Sequence, residues 1–354
     1  MPRRNPFFDK LAQDCGIYFP DAMYLSDQPE ARMAMDAQPT LITQSNAGIP
    51  AFLTTVVYPK VINVLLAPNN AAEVLGERRM GDWKDQTQLF PLVENTGFVA
   101  SYGDYQTAGK SDTNYNFPQR QSYLFETAIE YGDLETERAS LAKINIPMQK
   151  QLSAAVVMKK AQNLFYLYGI QGLQNYGLTN DPALSAPLAP GLKANGGVQW
   201  FVNNYPNATG AEVFSDVVAL ATYLINQSGN IITAKSKMTL ALSGGCASAL
   251  NFTNTFNVNV EDQLKKNYPN LRVVQVPQYA QVSSTNSQGV AAGNLVQLVA
   301  DEFGGQETGF CAFNEMLRAH RLIPDMSSFK QKWSSGSWGA IIMQPVAFAQ
   351  MIGV

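Results

Sequence analysis

Residues 147–182 read PMQKQLSAAVVMKKAQNLFYLYGIQGLQNYGLTNDP. Pro147 suits the first position of a helix, where its missing N–H is not needed. No further Pro or Gly follows until Gly169. Ala154, Val157, Met158, Ala161, Leu164, Phe165 and Tyr168 recur at three- and four-residue steps, which places them on one helical face. Gly169 is the stop signal. At ~1.5 Å per residue such a helix runs about 33 Å, the width of a small domain. Other elements are expected to hang on it. The stretch then closes in a turn-rich run, Gly177-Leu-Thr-Asn-Asp-Pro182.

The 354 residues are 46% hydrophobic and only 15% charged, so most of the surface is neutral and polar. A weakly charged surface repels copies of itself little, which suits association and also fits a neutral enzyme. A net charge of −3 disfavours a protein that grips nucleic acid by neutralising phosphates. Cys15, Cys246 and Cys311 lie far apart, without metal-binding spacing, and are expected to be reduced thiols. MPRRNPFFDK lacks an apolar core of signal length, and no run is long enough to span a bilayer.

Residues 1–57 are punctuated by Pro2, Pro6, Pro20, Pro29, Pro39 and Pro50 and read as an arm lying along other surfaces. A short helix is expected at Ala71–Leu75. Over 86–131, strand formers flank a polar segment, Gly103–Pro118, and predict a projecting β-hairpin. Its second strand is placed at Tyr123–Tyr131. A helix follows Gly132-Asp133. Residues 183–206 read as a boundary loop. Thr209-Gly-Ala-Glu212 fits a capping box before a helix carrying Val213, Val217, Leu220, Ala221 and Leu224. Strands at Met238–Leu242, Leu271–Val276, Asn294–Ala300 and Phe310–Phe313, with helices between, predict a mixed α/β half. Residues 277–293 read as a polar loop. Trp338–Pro345 reads as a final edge strand.

Catalysis needs a nucleophile, a base and an orienting group. His320 is the single histidine, and Ser243 sits in Ala241-Leu-Ser-Gly-Gly245, which lacks the first Gly of a nucleophile elbow. Gly244-Gly245 lacks the Lys-Ser/Thr of a phosphate loop. Asp301-Glu302 and Glu261-Asp262 read as solvated pairs. No catalytic, cofactor or metal site is expected.

The order of the motifs carries a resemblance. Tyr168-Gly169 closing a long helix, then Tyr176-Gly-Leu-Thr-Asn-Asp-Pro182, resembles the major capsid proteins of tailed bacteriophages, with Thr179 where an apolar residue is more usual. Gly132-Asp-Leu-Glu135 with Glu137-Arg138-Ala139 resembles the run before that helix. Leu317-Arg-Ala-His-Arg-Leu-Ile-Pro324 and Gly336-Ser-Trp-Gly-Ala-Ile-Ile-Met-Gln-Pro345 resemble the family's C-terminal end.

The resemblance implies the α+β Hong Kong ninety-seven capsid fold. Its parts would be an N-terminal arm (1–57), a peripheral domain (58–85 and 132–205, with the spine helix), an extended β-hairpin loop (86–131), an axial α/β domain (206–337) and a C-terminal strand returning to the peripheral domain (338–354). It implies a major capsid protein that self-assembles, as pentamers and hexamers, into an icosahedral shell around double-stranded DNA. The shell would form in the bacterial host cytoplasm and reside in the virion. DNA contact would be weak and non-specific, without membrane contact. The arm begins at Met1 with no charged helical scaffolding segment before it, so scaffolding is expected from a separate protein. Portal and cement proteins are further expected partners. An encapsulin-like nanocompartment shell, another phage structural protein, and an α/β enzyme using Ser243 and His320 stay open as alternatives.

Overall fold

The computed structural model describes residues 70–354, except positions 106, 142, 143, 204, 255, 256 and 285. The arm expected over 1–57 lies outside the described residues. The chain enters through α1 (Ala71–Leu75) and β1 (Glu77–Arg79), then passes β2 (Thr87–Leu89), β3 (Leu92–Phe98), β4 (Lys110–Asn116), β5 (Gln119–Gln121) and β6 (Tyr123–Gly132). Helices α2 (Asp133–Leu141) and α3 (Ile146–Tyr168) follow. After β7 (Phe201–Val202) and β8 (Tyr205–Pro206) come α4 (Gly210–Gln227), β9 (Met238–Leu242), α5 (Gly244–Ala249), α6 (Val260–Asn267) and β10 (Leu271–Gln275). The chain ends in β11 (Leu295–Ala300), β12 (Glu302–Phe303), β13 (Gln306–Glu307), β14 (Gly309–Ala319), β15 (Ile323–Pro324), β16 (Ser328–Ile342) and β17 (Phe348–Ile352).

The long helix forms where its signals place it. Asn145 caps it, its side chain accepting from the Met148 N–H at 3.1 Å, and Pro147 occupies the first turn. Burial within it departs from the expected stripe. Ala154, Met158, Gln162 and Tyr166 form the buried row, while Val157 is 53% exposed. A four-residue step advances about 40° around a helix, so this row winds away from Val157 and Leu164. Gln162 is tolerated in it because its amide reaches the Ser337 hydroxyl at 3.0 Å.

Two sheets divide the described residues. One runs β1–β14–β16–β15, with β6 on the other side of β16. Helix α3 packs on β6 and β16, with Phe165 set edge-on to Tyr123 and Phe125. The other runs β10–β9–β11–β17. All positions of β9 and β11 are buried, consistent with their near-continuous apolar sequences. Helix α4 covers this sheet with the expected residues, all buried. Its capping box is complete: the Thr209 hydroxyl accepts from Glu212 N–H, and the Glu212 carboxylate accepts from Thr209 N–H at 2.7 Å.

Three expectations are corrected. The segment Tyr123–Tyr131 is not the hairpin's return strand; it lies in β6, which pairs with β16 from Ser328↔Gly132 to Ser337↔Tyr123. The return strand is β4, inside the segment read as a polar tip, so the turn region spans only 99–109. Strand-former content marks strands that bury a face, and β4 (KSDTNYN) buries none. Finally, Trp338–Ile342 is not the final strand. It ends the fifteen-residue β16, where β14 is its strand partner and the β6 pairing has stopped at Ser337, and Pro345 starts a 3₁₀ turn into a separate strand, β17, against β11. In β17 the Leu188 carbonyl and N–H cover the outer edge, at Ile352 and Gln350.

Candidate assembly surface

The C-terminal end of α3 shows how the turn-rich run works. The Gly169 N–H bonds the Phe165 carbonyl at 2.9 Å, and the Leu178 N–H bonds that of Tyr166 at 2.8 Å. Thr179 gives both its N–H (3.1 Å) and its hydroxyl (2.7 Å) to Leu167, and the Asn180 amide reaches Tyr168. The carbonyls that a helix end leaves orphaned are therefore all occupied. Thr179 supplies two of those donors. Gly177 is required by contact, because a Cβ there would lie 2.2 Å from the Leu167 carbonyl carbon and oxygen.

The same segment holds the base of the hairpin. Arg120, in β5, donates to the buried Asp181 carboxylate at 2.6 Å and lies over the Tyr176 ring. The Gln121 N–H bonds Gln174 O, and Asn175 Nδ2 bonds Gln121 O and Ser337 O, each at 3.0 Å. Asp181 also accepts from the Ala183 N–H. Sequence reading missed Arg120 and Gln121, which carry no periodic signal and are paired by folding alone.

Beyond that base the ribbon is bare. Every residue of β3 and β4 is exposed. Leu92, Val93, Phe98, Tyr115 and Phe117 are among them, and Val99, Tyr102 and Tyr105 at the turn are almost wholly so. More exposed apolar groups lie on α2 (Leu134, Leu141) and the first half of α3 (Met148, Leu152, Val156, Val157). Exposed apolar side chains gathered on a ribbon with no buried face point to an interaction surface.

The candidate chemical residues are not brought together. Ser243 is buried and caps α5, accepting from the Cys246 N–H at 3.2 Å. His320 lies just past β14, its Nε2 within 2.6 Å of the Ser334 hydroxyl. Glu261 pairs with Lys265, Glu302 with Lys237, and Asp301 accepts from the Thr239 hydroxyl. Burial pushes both Cys246 and Cys311 thiols up, away from the reactive thiolate. Burial, with the nearby Glu77 carboxylate, likewise raises the Tyr166 phenol. One buried ion pair was not foreseen. Lys193 and Asp216, each 5% exposed, meet beneath the 183–206 loop. Trp200 Nε1 donates to the same carboxylate at 2.7 Å, pinning the loop to α4.

The described residues thus combine an exposed ribbon, a capped long helix and two larger sheets. Over residues 40–353 the sequence matches the family described as Pa193 gp26 major capsid protein. The chain belongs to this major capsid protein family. Among curated proteins no sequence matches. Among solved structures, the capsid of Myoviridae phage XM1 is similar, with a TM-score of 0.70 and 14% identity over 86% of this chain and 99% of that one. The capsid of the native GTA particle gives a TM-score of 0.57 and 9% identity, covering 88% of this chain and 100% of that one. A Mycobacterium phage Ogopogo structure gives 0.55 and 12%, covering 85% and 96%. These likenesses establish the α+β phage-capsid fold. As a member of the Pa193 gp26 major capsid protein family, the chain is a shell-forming subunit, a virion component that acts as an oligomer of such subunits.

Proposed function

We propose that this subunit builds a closed icosahedral shell around double-stranded DNA, as pentamers and hexamers, and performs no catalysis. The observation that carries the reading is the β3–β4 ribbon, exposed along both strands yet apolar at Leu92, Val93, Phe98, Tyr115 and Phe117. An isolated two-stranded ribbon is marginal in water, so its side chains call for a neighbouring copy. Ser243 and His320 each serve a local hydrogen bond, which leaves the enzyme alternative without a nucleophile–base pair. The net charge of −3 suits a wall that encloses DNA without holding each phosphate.

In this reading α3 and the sheet containing β6, β14 and β16 form the peripheral domain; this departs from the expected bounds, because 309–337, expected in the axial part, pairs with β1 and β6, and β17, expected to return to the peripheral part, pairs with β11. Helix α4 and the β10–β9–β11–β17 sheet form the axial domain, with the 277–293 loop towards a five- or six-fold axis. Scaffolding, portal and cement functions come from separate proteins, and assembly takes place in the bacterial host cytoplasm. The test is negative-stain microscopy of the full chain, expressed alone and with the co-encoded phage proteins. Closed shells are expected, and shells in the second case only point to a separate scaffolding protein. Soluble monomers in both cases would overturn the proposal.

A further inference from the structure

A cleft of about 300 Å³ lies between the middle of α3 and the strands beside it, lined by Lys159, Gln162, Asn163 and Tyr166 of the helix with Glu77 of β1 and Met316 of β14. Two of its side chains are buried and half satisfied. Gln162 is 6% exposed and Asn163 3%. The Gln162 amide nitrogen donates to the Ser337 hydroxyl, and the Asn163 carbonyl accepts from the Ala71 N–H, each at 3.0 Å. Gln162 Oε1 and Asn163 Nδ2 have no partner within the chain. A buried acceptor and a buried donor thus sit on consecutive residues in one cleft, and each costs free energy until it is paired. Tyr166 donates its hydroxyl to Glu77 Oε1 at 2.5 Å, which holds that carboxylate on the cleft wall.

Glu77 also belongs to an open sheet edge. Among the described residues strand β1 is the outermost of its sheet, and all three of its residues are exposed. The Cys311 N–H bonds Gly76 O at 2.9 Å, and the Met80 N–H bonds Phe313 O at 2.8 Å. These bonds set the phase of the parallel ladder. Gly76, Arg78 and Met80 turn to β14, and the N–H and C=O of Glu77 and Arg79 turn away from it. Such a row is a template for another strand. The arginine side chains are drawn elsewhere, Arg78 to Glu307 and Arg79 Nε to Asn314 O. We infer that the cleft and the β1 edge together dock an extended segment of a second copy of this chain. The backbone of that segment carries both groups required, a C=O for Asn163 Nδ2 and an N–H for Gln162 Oε1, and it repeats them for Glu77 and Arg79. Charge agrees. The walls offer one cation, Lys159, and one anion, Glu77, which favours a neutral polar stretch, and this chain is only 15% charged. A small amide would satisfy Gln162 and Asn163 but leave the strand edge unpaired. The inference rests on the reading of the chain as one of many identical subunits.

Photo-crosslinking of the full chain tests this. A Lys159→p-benzoylphenylalanine variant places the probe on the exposed rim of the cleft. Irradiated under assembly conditions, it should give a species of twice the subunit mass, whose joined peptides map to one contiguous stretch of the chain. Asn163→Asp in that background keeps the oxygen that accepts from Ala71 and removes the donor. The yield should then fall about tenfold, the worth of one such lost hydrogen bond. In the unsubstituted chain, amide exchange at Glu77 and Arg79 should slow on assembly by a similar factor, and that reading decides the matter should Asn163→Asp not fold. Closed shells with no species of double mass, with joins scattered along the chain, or with unchanged exchange at Glu77 and Arg79 would overturn the docking and leave shell formation standing. So would an unchanged yield in a folded Asn163→Asp variant. Joins to a co-encoded protein would overturn the second copy as the occupant. Soluble monomers that form neither shells nor joins would overturn both readings.

Discussion

The C-terminal end of α3 and the β3–β4 ribbon are both rich in aromatic and aliphatic residues, and both complete their local backbone bonding. They differ in where their side chains go. At the helix end, Tyr166 and Leu167 are buried, and each terminal carbonyl is met by the 169–180 segment. In the ribbon, no residue of either strand is buried. Backbone pairing alone thus does not settle an element's role. In the proposed shell, a segment whose bonds are complete and whose apolar side chains remain in water is expected to have its stabilisation completed by a neighbouring copy.

The sharpest way to break this contrast is at Gly177. A Cβ there would meet Leu167 backbone at 2.2 Å, with no flexible neighbour to yield. Gly177→Ala should push the cap off the helix end and cost about 3 kcal/mol, at the upper end for overpacking, in urea unfolding of the unassembled subunit. Gly172→Ala is the control. It has positive φ, which Gly177 lacks, and nothing within 4 Å, so its cost is strain alone, about 1 kcal/mol. Equal costs at the two positions would remove the close-approach argument.

Asp181→Asn comes next. It takes the charge from the partner of Arg120, whose side chain is only 13% exposed. Breaking a buried pair from one side costs about 3 kcal/mol, and somewhat less is expected here because water can reach the guanidinium. Amide exchange at Gln121 should speed up while that at Leu167, within the helix, should not. If both change together, the base of the ribbon and the helix end are one unit.

Local signals were legible in the sequence. The Thr209 cap, the α3 limits and the buried face of α4 each depend on residues within a turn or two, where spacing speaks directly. The 177–182 run was legible as a turn, but its use as a helix cap depends on chain reversal onto Tyr166–Tyr168. What was illegible depends on partners chosen by the fold. Arg120 meets Asp181, and Lys193 meets Asp216 and Trp200. Strand β4 was hidden for the opposite reason: it buries nothing in its own subunit, so selection for a core leaves no alternation in its residues.

The smallest expected effect on the subunit is the most informative about assembly. Phe98→Ser with Val99→Ser removes two of the most exposed apolar side chains in the ribbon. Exposed positions away from caps and cores usually change stability by no more than about 0.5 kcal/mol, so the unfolding midpoint should hardly move. In the assembled shell those side chains would be covered, and shell yield by sedimentation should fall sharply. Proteolysis gives the matching view of the unsubstituted chain. Cleavage of free subunits should begin within 99–109 and leave 146–168 intact, because the turn has no packing to protect it. Assembly should then slow cleavage at 99–109 and do little at the helix, which is already protected. Were the double substitution to destabilise the free subunit as much as Gly177→Ala, the ribbon would have to pack against its own chain. The difference between the two regions would then be one of degree.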